Sequence, residues 1–77
     1  MISVAYHAHI RLKERLGIKS EDERLNIAYR AFERGEPIGF ATRVWNGKLD
    51  QRILLRYQGH EWIFAQDGTL ITVLARR

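Results

Sequence analysis

Apolar positions change their spacing once along this chain, and the change divides it into a helical half and a stranded half. Val4, Ala5, Ala8, Leu12 and Leu16, with Ile10 widening the stripe, recur near the 3.6-residue period of a helix. This predicts a helix over Val4 to Leu16, with Ser3 as its N-cap and Gly17 closing it. Ser20-Glu21-Asp22-Glu23 has the form of a capping box, and its three acids suit the positive end of a helix dipole. A second helix is expected from there to about Arg34. Its buried side would be Leu25, Ala28 and Phe32, flanked by Ile27, Tyr29 and Ala31, and Gly35 and Pro37 would end it.

Residues 38–50 carry no clean period. Phe40, Val44 and Trp45 suit either a short strand or a flap on the core, and Asn46-Gly47 signals a turn. Beyond them the period becomes two. Strands are expected over Arg52 to Tyr57, Glu61 to Ala65 and Thr69 to Ala75, joined at Gln58-Gly59 and Asp67-Gly68. A sheet needs one face covered, and the two helices are the only elements able to cover it. The expected architecture is one α+β domain over residues 1–77, with two N-terminal helices packed on a three- to four-stranded antiparallel meander.

Composition narrows the chemistry. The 77 residues have no cysteine, which removes disulfides, thiol nucleophiles and thiolate metal sites and suits a reducing, cytoplasmic setting. No apolar run reaches the roughly 18–20 residues that span a bilayer, and the opening Met1-Ile2-Ser3-Val4-Ala5-Tyr6-His7 lacks a signal-peptide pattern, so no membrane association is expected. Thirteen basic against nine acidic residues leave a net charge of +4, which biases encounters towards polyanions.

The first helix holds the most informative arrangement. His7, Arg11 and Arg15 are four residues apart and form a ridge beside the apolar stripe, with Glu14 three residues from Arg11. A histidine near a helix N-terminus is favoured as the neutral base, and an arginine one turn on can hold a phosphate. Metal-free RNA cleavage needs a base, a cation for the phosphorane charge and an acid, and this ridge could supply the first two. The plain alternative is a solvated face with a Glu14–Arg11 pair. His7-x-His9 has the wrong spacing for a shared metal on a helix, so neither metal nor cofactor is expected. His9 would sit at the core edge or in solvent and His60 beside a turn, exposed. Arg56 and Thr72 interrupt apolar strands; Arg56 would project onto the open face of the sheet, and Thr72 would share a face with Leu70 and Leu74. Trp45, Trp62 and Tyr57 are expected in the core, where an exposed ring could instead stack a base.

The stretch His7-Ala8-His9-Ile10-Arg11-Leu12-Lys13-Glu14-Arg15-Leu16-Gly17-Ile18 resembles the opening of small phage and bacterial proteins in the nuclease group that includes barnase, EndoU, colicin-type and RelE-type toxins. Trp62-Ile63-Phe64 and Thr69-Leu70-Ile71-Thr72-Val73-Leu74 resemble that group's close. The resemblance covers most of the chain except residues 38–50. It implies a metal-independent endoribonuclease-like hydrolase, a toxin type often paired with an antitoxin. His7 and Arg11 would hold the helix positions of the catalytic site and Thr72 the last-strand position, with Arg15 and Arg56 as looser matches. Arg15, Arg43 and Lys48 would contact RNA. Two alternatives stand beside this: a non-enzymatic phage or bacterial protein that binds a host protein or ribonucleoprotein, and a simple RNA-binding module.

Overall fold

The chain turns into the sheet before it becomes helical. In a computed structural model, which describes residues 2–45 and 47–75, Ser3–Val4 forms a short strand, β1, that runs parallel to the last strand. The side chains of Arg43, Trp45 and Ala75 lie outside the described set, as does Asn46, so the expectations for an Asn46-Gly47 turn, for the Trp45 ring and for Arg43 as an RNA contact lie outside the described residues. Helices α1 (Tyr6–Leu16) and α2 (Glu21–Arg34) follow, then strands β2 (Glu36–Trp45), β3 (Lys48–Tyr57), β4 (His60–Ala65) and β5 (Thr69–Ala75). The five strands lie in the order β1-β5-β4-β3-β2, antiparallel except at β1–β5.

The α+β class matches the sequence reading, but the sheet is larger and mixed rather than purely antiparallel. Two local choices explain the difference. At the N-terminus, the Ser3 amide donates to the Gly68 carbonyl at 3.4 Å and the Ala5 amide to the Leu70 carbonyl at 3.0 Å. Main-chain pairing with β5 therefore takes Val4 and Ala5 away from the helix that their spacing suggested. Ala5, in an extended conformation, becomes the N-cap without a side-chain cap bond, while the Ser3 hydroxyl bonds Thr69 Oγ1 at 2.9 Å. In the middle, residues 38–45 and 48–50 belong to the long antiparallel pair β2–β3, whose register holds from Gly39↔Leu54 to Trp45↔Lys48.

The other caps follow the sequence closely. Gly17 takes the left-handed conformation (φ 66°) and its amide donates to the Lys13 carbonyl, an αL-type ending, while the Ile18 amide reaches the Leu12 carbonyl. Ser20 Oγ accepts from the Glu23 amide at 3.4 Å at the start of α2. Gln58 and Gly59 both have positive φ, the requirement of a two-residue hairpin turn with the right twist. In the β4–β5 turn, the Thr69 side chain and then its amide hydrogen-bond the Asp67 carboxylate and hold its pKa below the usual value.

Both helices cover one face of the sheet. Ala8 and Leu12 from α1 and Ala28 and Ala31 from α2 meet Leu55, Trp62, Phe64, Leu70 and Val73 in a single buried cluster. Small alanines let the helices approach the large rings: Phe32 packs edge-on against Phe64 with centroids 5.1 Å apart. Trp62 is fully buried and its indole N–H donates to the Tyr57 carbonyl at 2.9 Å. The buried side of α2 is narrower than its sequence suggested. Leu25, Tyr29 and Phe32 are exposed to differing degrees, because the stripe centres on Ala28 and Ala31.

Candidate nucleic-acid interface

Burying Ala8 and Leu12 fixes the rotation of α1, and that rotation turns His7, Arg11 and Arg15 outward. All three are exposed and share one ridge, as their spacing requires. Between Tyr6 and Lys19 the bases Arg11, Lys13, Arg15 and Lys19 stand against Glu14 as the one acid. Arg11 Nη1 pairs with Glu14 Oε2 at 3.4 Å, with both side chains about half exposed. Such a pair contributes roughly 0–1 kcal/mol, so the guanidinium is readily released to a better anion. Tyr6 precedes the ridge, 76% exposed, with its ring edge-on to His7 at 5.9 Å. Tyr6 is not among the candidates that spacing selects; its signal is an aromatic residue off the apolar stripe beside the first basic positions.

The other two histidines are engaged elsewhere. His9 is half-buried, and its Nδ1 accepts from Arg24 Nε at 2.9 Å. The same guanidinium donates through Nη1 to the carbonyls of Ile18 and Lys19, at 3.0 and 2.8 Å. Arg24 thus ties α1 to the α1–α2 connection, a structural role that no local sequence pattern announces. His60 is half-buried rather than exposed, and its Nδ1 donates to the Gln58 carbonyl at 3.0 Å.

Arg56 and Thr72 lie on the far side of the sheet from the helices. Directly opposed residues share a face, so Arg56 goes with Glu61 and Glu36, and Thr72 with Ile63; both sets alternate with the helix-facing Leu55, Trp62 and Phe64. The register shift between Ile63 and Phe64 leaves Ile71 as an extra residue, so Leu70 enters the core while Thr72 and Leu74 face the open side. Thr72 therefore shares a face with Leu74 but not with Leu70. Arg56 is half-buried, and its Nε is buried with no hydrogen-bond partner among the described residues. Among the described residues no hydrogen bond joins the α1 ridge to Arg56 or Thr72. Lys48 is exposed at the start of β3, where its register partner is Trp45 at the end of β2.

The concavities at α2 involve other residues. One, of about 340 Å³, is lined by Ile18, Glu23, Asn26, Ile27 and Arg30, and another, of about 420 Å³, by Ile2, Tyr29, Phe32 and Glu33. Among the described residues no group of three or more His, Asp or Glu side chains is placed to hold a metal ion, and no helix is long and apolar enough to cross a membrane. No known protein family, curated protein or solved structure matches the chain. The ridge has to be interpreted from its own chemistry.

Proposed function

We propose that this domain binds RNA through the exposed ridge of α1, with Arg11 and Arg15 on phosphates and Tyr6 and His7 on an adjacent base or sugar. The observation that carries this reading is the ridge itself. Three outward side chains of matched spacing stand on a helix whose rotation is fixed by Ala8 and Leu12, beside a single weakly held acid. Arginine presents a planar donor fork suited to phosphate, and an exposed aromatic ring can stack any base. The choice of RNA over other polyanions rests on the resemblance to toxin-type ribonucleases.

Binding is favoured over cleavage because the polar groups expected to complete a catalytic set, Arg56 and Thr72, belong to the opposite face of the sheet. The imidazole of His7 and the Arg11 guanidinium supply a base and a cation, and an acid for the leaving oxygen has no candidate among the neighbouring histidines, since His9 and His60 are hydrogen-bonded elsewhere. The interaction-protein alternative draws on a different surface, the apolar side chains of the β2–β3 hairpin.

The test is titration of a labelled single-stranded RNA by fluorescence anisotropy across a range of salt. Affinity should fall linearly on a log–log plot. The Arg11→Gln/Arg15→Gln double variant should bind about tenfold more weakly at low salt and lose about 1.4 from the slope, two contacts at roughly 0.7 each. Unchanged affinity and slope in that variant would remove the ridge from the interface. RNA cleaved in the presence of EDTA by the wild type and left intact by His7→Ala would instead bring the ribonuclease reading forward.

A further inference from the structure

The free edge of the sheet lies on β2, and it matches itself. At the opposite end β1 has only two residues, a short edge of the kind that resists pairing. β2 has ten, and its first part is blunted by Pro37 and by the register shift between Pro37 and Gly39. From Gly39 to Trp45 the register with β3 is regular, and Thr42 is the midpoint of that stretch.

Phe40 and Val44 stand symmetrically about this midpoint, two residues to either side. They are 77% and 70% exposed, and on β3 they lie opposite Ile53 and Leu49, the latter 64% exposed. All four side chains share the sheet face on which the helices pack, yet Phe40, Val44 and Leu49 remain open to solvent. An exposed apolar row on a long edge strand is a template for another strand.

We infer that two copies of this chain pair antiparallel along β2, about a twofold axis through Thr42. In this register Phe40 lies opposite Val44 of the second copy, and the reverse holds on the other side of the axis. The result is two continuous rows of Ile53, Phe40, Val44 and Leu49 across the junction, with Val44 and Leu49 coming from the other copy. Aromatic and β-branched residues directly opposed are favourable pairs, as are two threonines. Position 43 takes the register place opposite position 41 rather than opposite itself, so the pairing sets no arginine against its own copy. Residues equidistant from Thr42 also have main-chain groups of the same orientation, so outward amides meet outward carbonyls along the whole edge.

The area is adequate for a weak, reversible dimer. Phe40 and Val44, the apolar side chains that meet the second copy directly, expose on the order of 250 Å² per copy. That is less than half of the roughly 600 Å² per partner at the lower bound of stable interfaces, and the main-chain hydrogen bonds of the paired edge add to it, which places the dimer at the weak end. A dissociation constant on the order of 10 μM is expected. This inference is independent of RNA binding, which uses α1.

Sedimentation equilibrium and cysteine cross-linking of the full chain test it. The mass should double between about 1 μM and about 500 μM protein, and Phe40→Lys/Val44→Lys should stay monomeric with an unchanged circular-dichroism spectrum. The chain has no native cysteine, so a Thr42→Cys disulfide can form only between copies. Positions directly opposed across antiparallel strands are about 4.5–5.5 Å apart, within disulfide range, whereas Ala41→Cys would face its copy diagonally at about 7–8 Å. Thr42→Cys should therefore cross-link rapidly and Ala41→Cys should not. Should the lysine variant fail to fold, the cysteine pair decides alone. A monomer at every concentration, equal cross-linking at both positions, or a dimer that survives the two lysines would each overturn the proposal. The first of these would leave the edge to a strand from a different protein.

Discussion

Trp62→Ala is expected to lower the stability of the domain by about 3–5 kcal/mol, the largest loss from any single core truncation. Trp62 is the largest fully buried side chain, and it touches both layers of the fold. Its ring packs edge-on against Tyr57 at 6.1 Å, and its N–H bonds the Tyr57 carbonyl at 2.9 Å. Truncating a buried tryptophan costs about 3–5 kcal/mol, since the site cannot collapse onto the space left behind. A chain of 77 residues has a total stability of about 4–12 kcal/mol. The substitution therefore removes a large fraction of what holds the domain together. Trp62→Phe keeps most of the apolar volume and loses the hydrogen bond, an expected cost of about 1–2 kcal/mol beyond the volume change. Urea denaturation followed by far-ultraviolet circular dichroism separates the two variants. A wild-type midpoint for Trp62→Ala would mean that the core is not centred on this ring.

Gly35→Ala is the second large effect, and its cause is space rather than backbone freedom. Gly35 has φ −64° and ψ 148°, a conformation open to any residue. Its amide donates to the Ala31 carbonyl at 2.8 Å, which closes the last turn of α2 where it lies against Leu55 of β3. A Cβ placed there would collide with the Ala31 carbonyl oxygen and come within 3.0 Å of Leu55 Cβ. Neither neighbour yields easily, since one is main chain and the other belongs to the core. Overpacking of this kind costs about 1–3 kcal/mol, and a drop in the urea midpoint at unchanged slope should report it. At Gly17 the situation is reversed. A Cβ at that position would meet no atom within 4 Å, and Gly17→Ala is costly only because φ is 66°. The left-handed backbone there sets the cost at about 1 kcal/mol. Gly35→Ala as mild as a surface substitution would contradict the close approach of α2 to β3.

The sequence is most legible where one local rule acts alone. Gly17, Ser20 and the Gln58-Gly59 turn each carry their signal in one or two residues, and each holds its expected place. Strand β4 alternates cleanly, and the expected bounds of β4 and β5 agree with the fold to within a residue. Legibility fails where a distant partner decides the outcome. Val4 and Ala5 fit a helical stripe, but main-chain groups on β5 take Val4 into a parallel strand and hold the Ala5 amide outside the helix. Phe40, Val44 and Leu49 are apolar without being buried, so residues 38–50 offer no period to follow even though Gly39 to Trp45 pair regularly with Lys48 to Leu54.

The candidate site divides in the same way. His7, Arg11 and Arg15 sit within nine residues on one helix, so helical geometry alone brings them together. Arg56 and Thr72 could be joined to them only through the tertiary fold, and the strand pairing turns both to the other face. The place expected for Thr72 is further disturbed by the extra residue Ile71, since a single added residue in one strand reverses the alternation beyond it. Arg24, on α2, bonds groups on α1 and on the α1–α2 connection at once, which spacing along one helix cannot foretell.

The α1 ridge as an RNA-binding surface is tested most directly by changing its one acid. Glu14 holds Arg11 at 3.4 Å and subtracts a charge from the ridge, while contributing little to stability at this exposure. In the anisotropy titration at low salt, Glu14→Gln should raise the affinity for single-stranded RNA about two- to fivefold, with the thermal midpoint nearly unchanged. An affinity equal to or below that of the wild type, in a variant that remains folded, would contradict phosphate binding by this ridge.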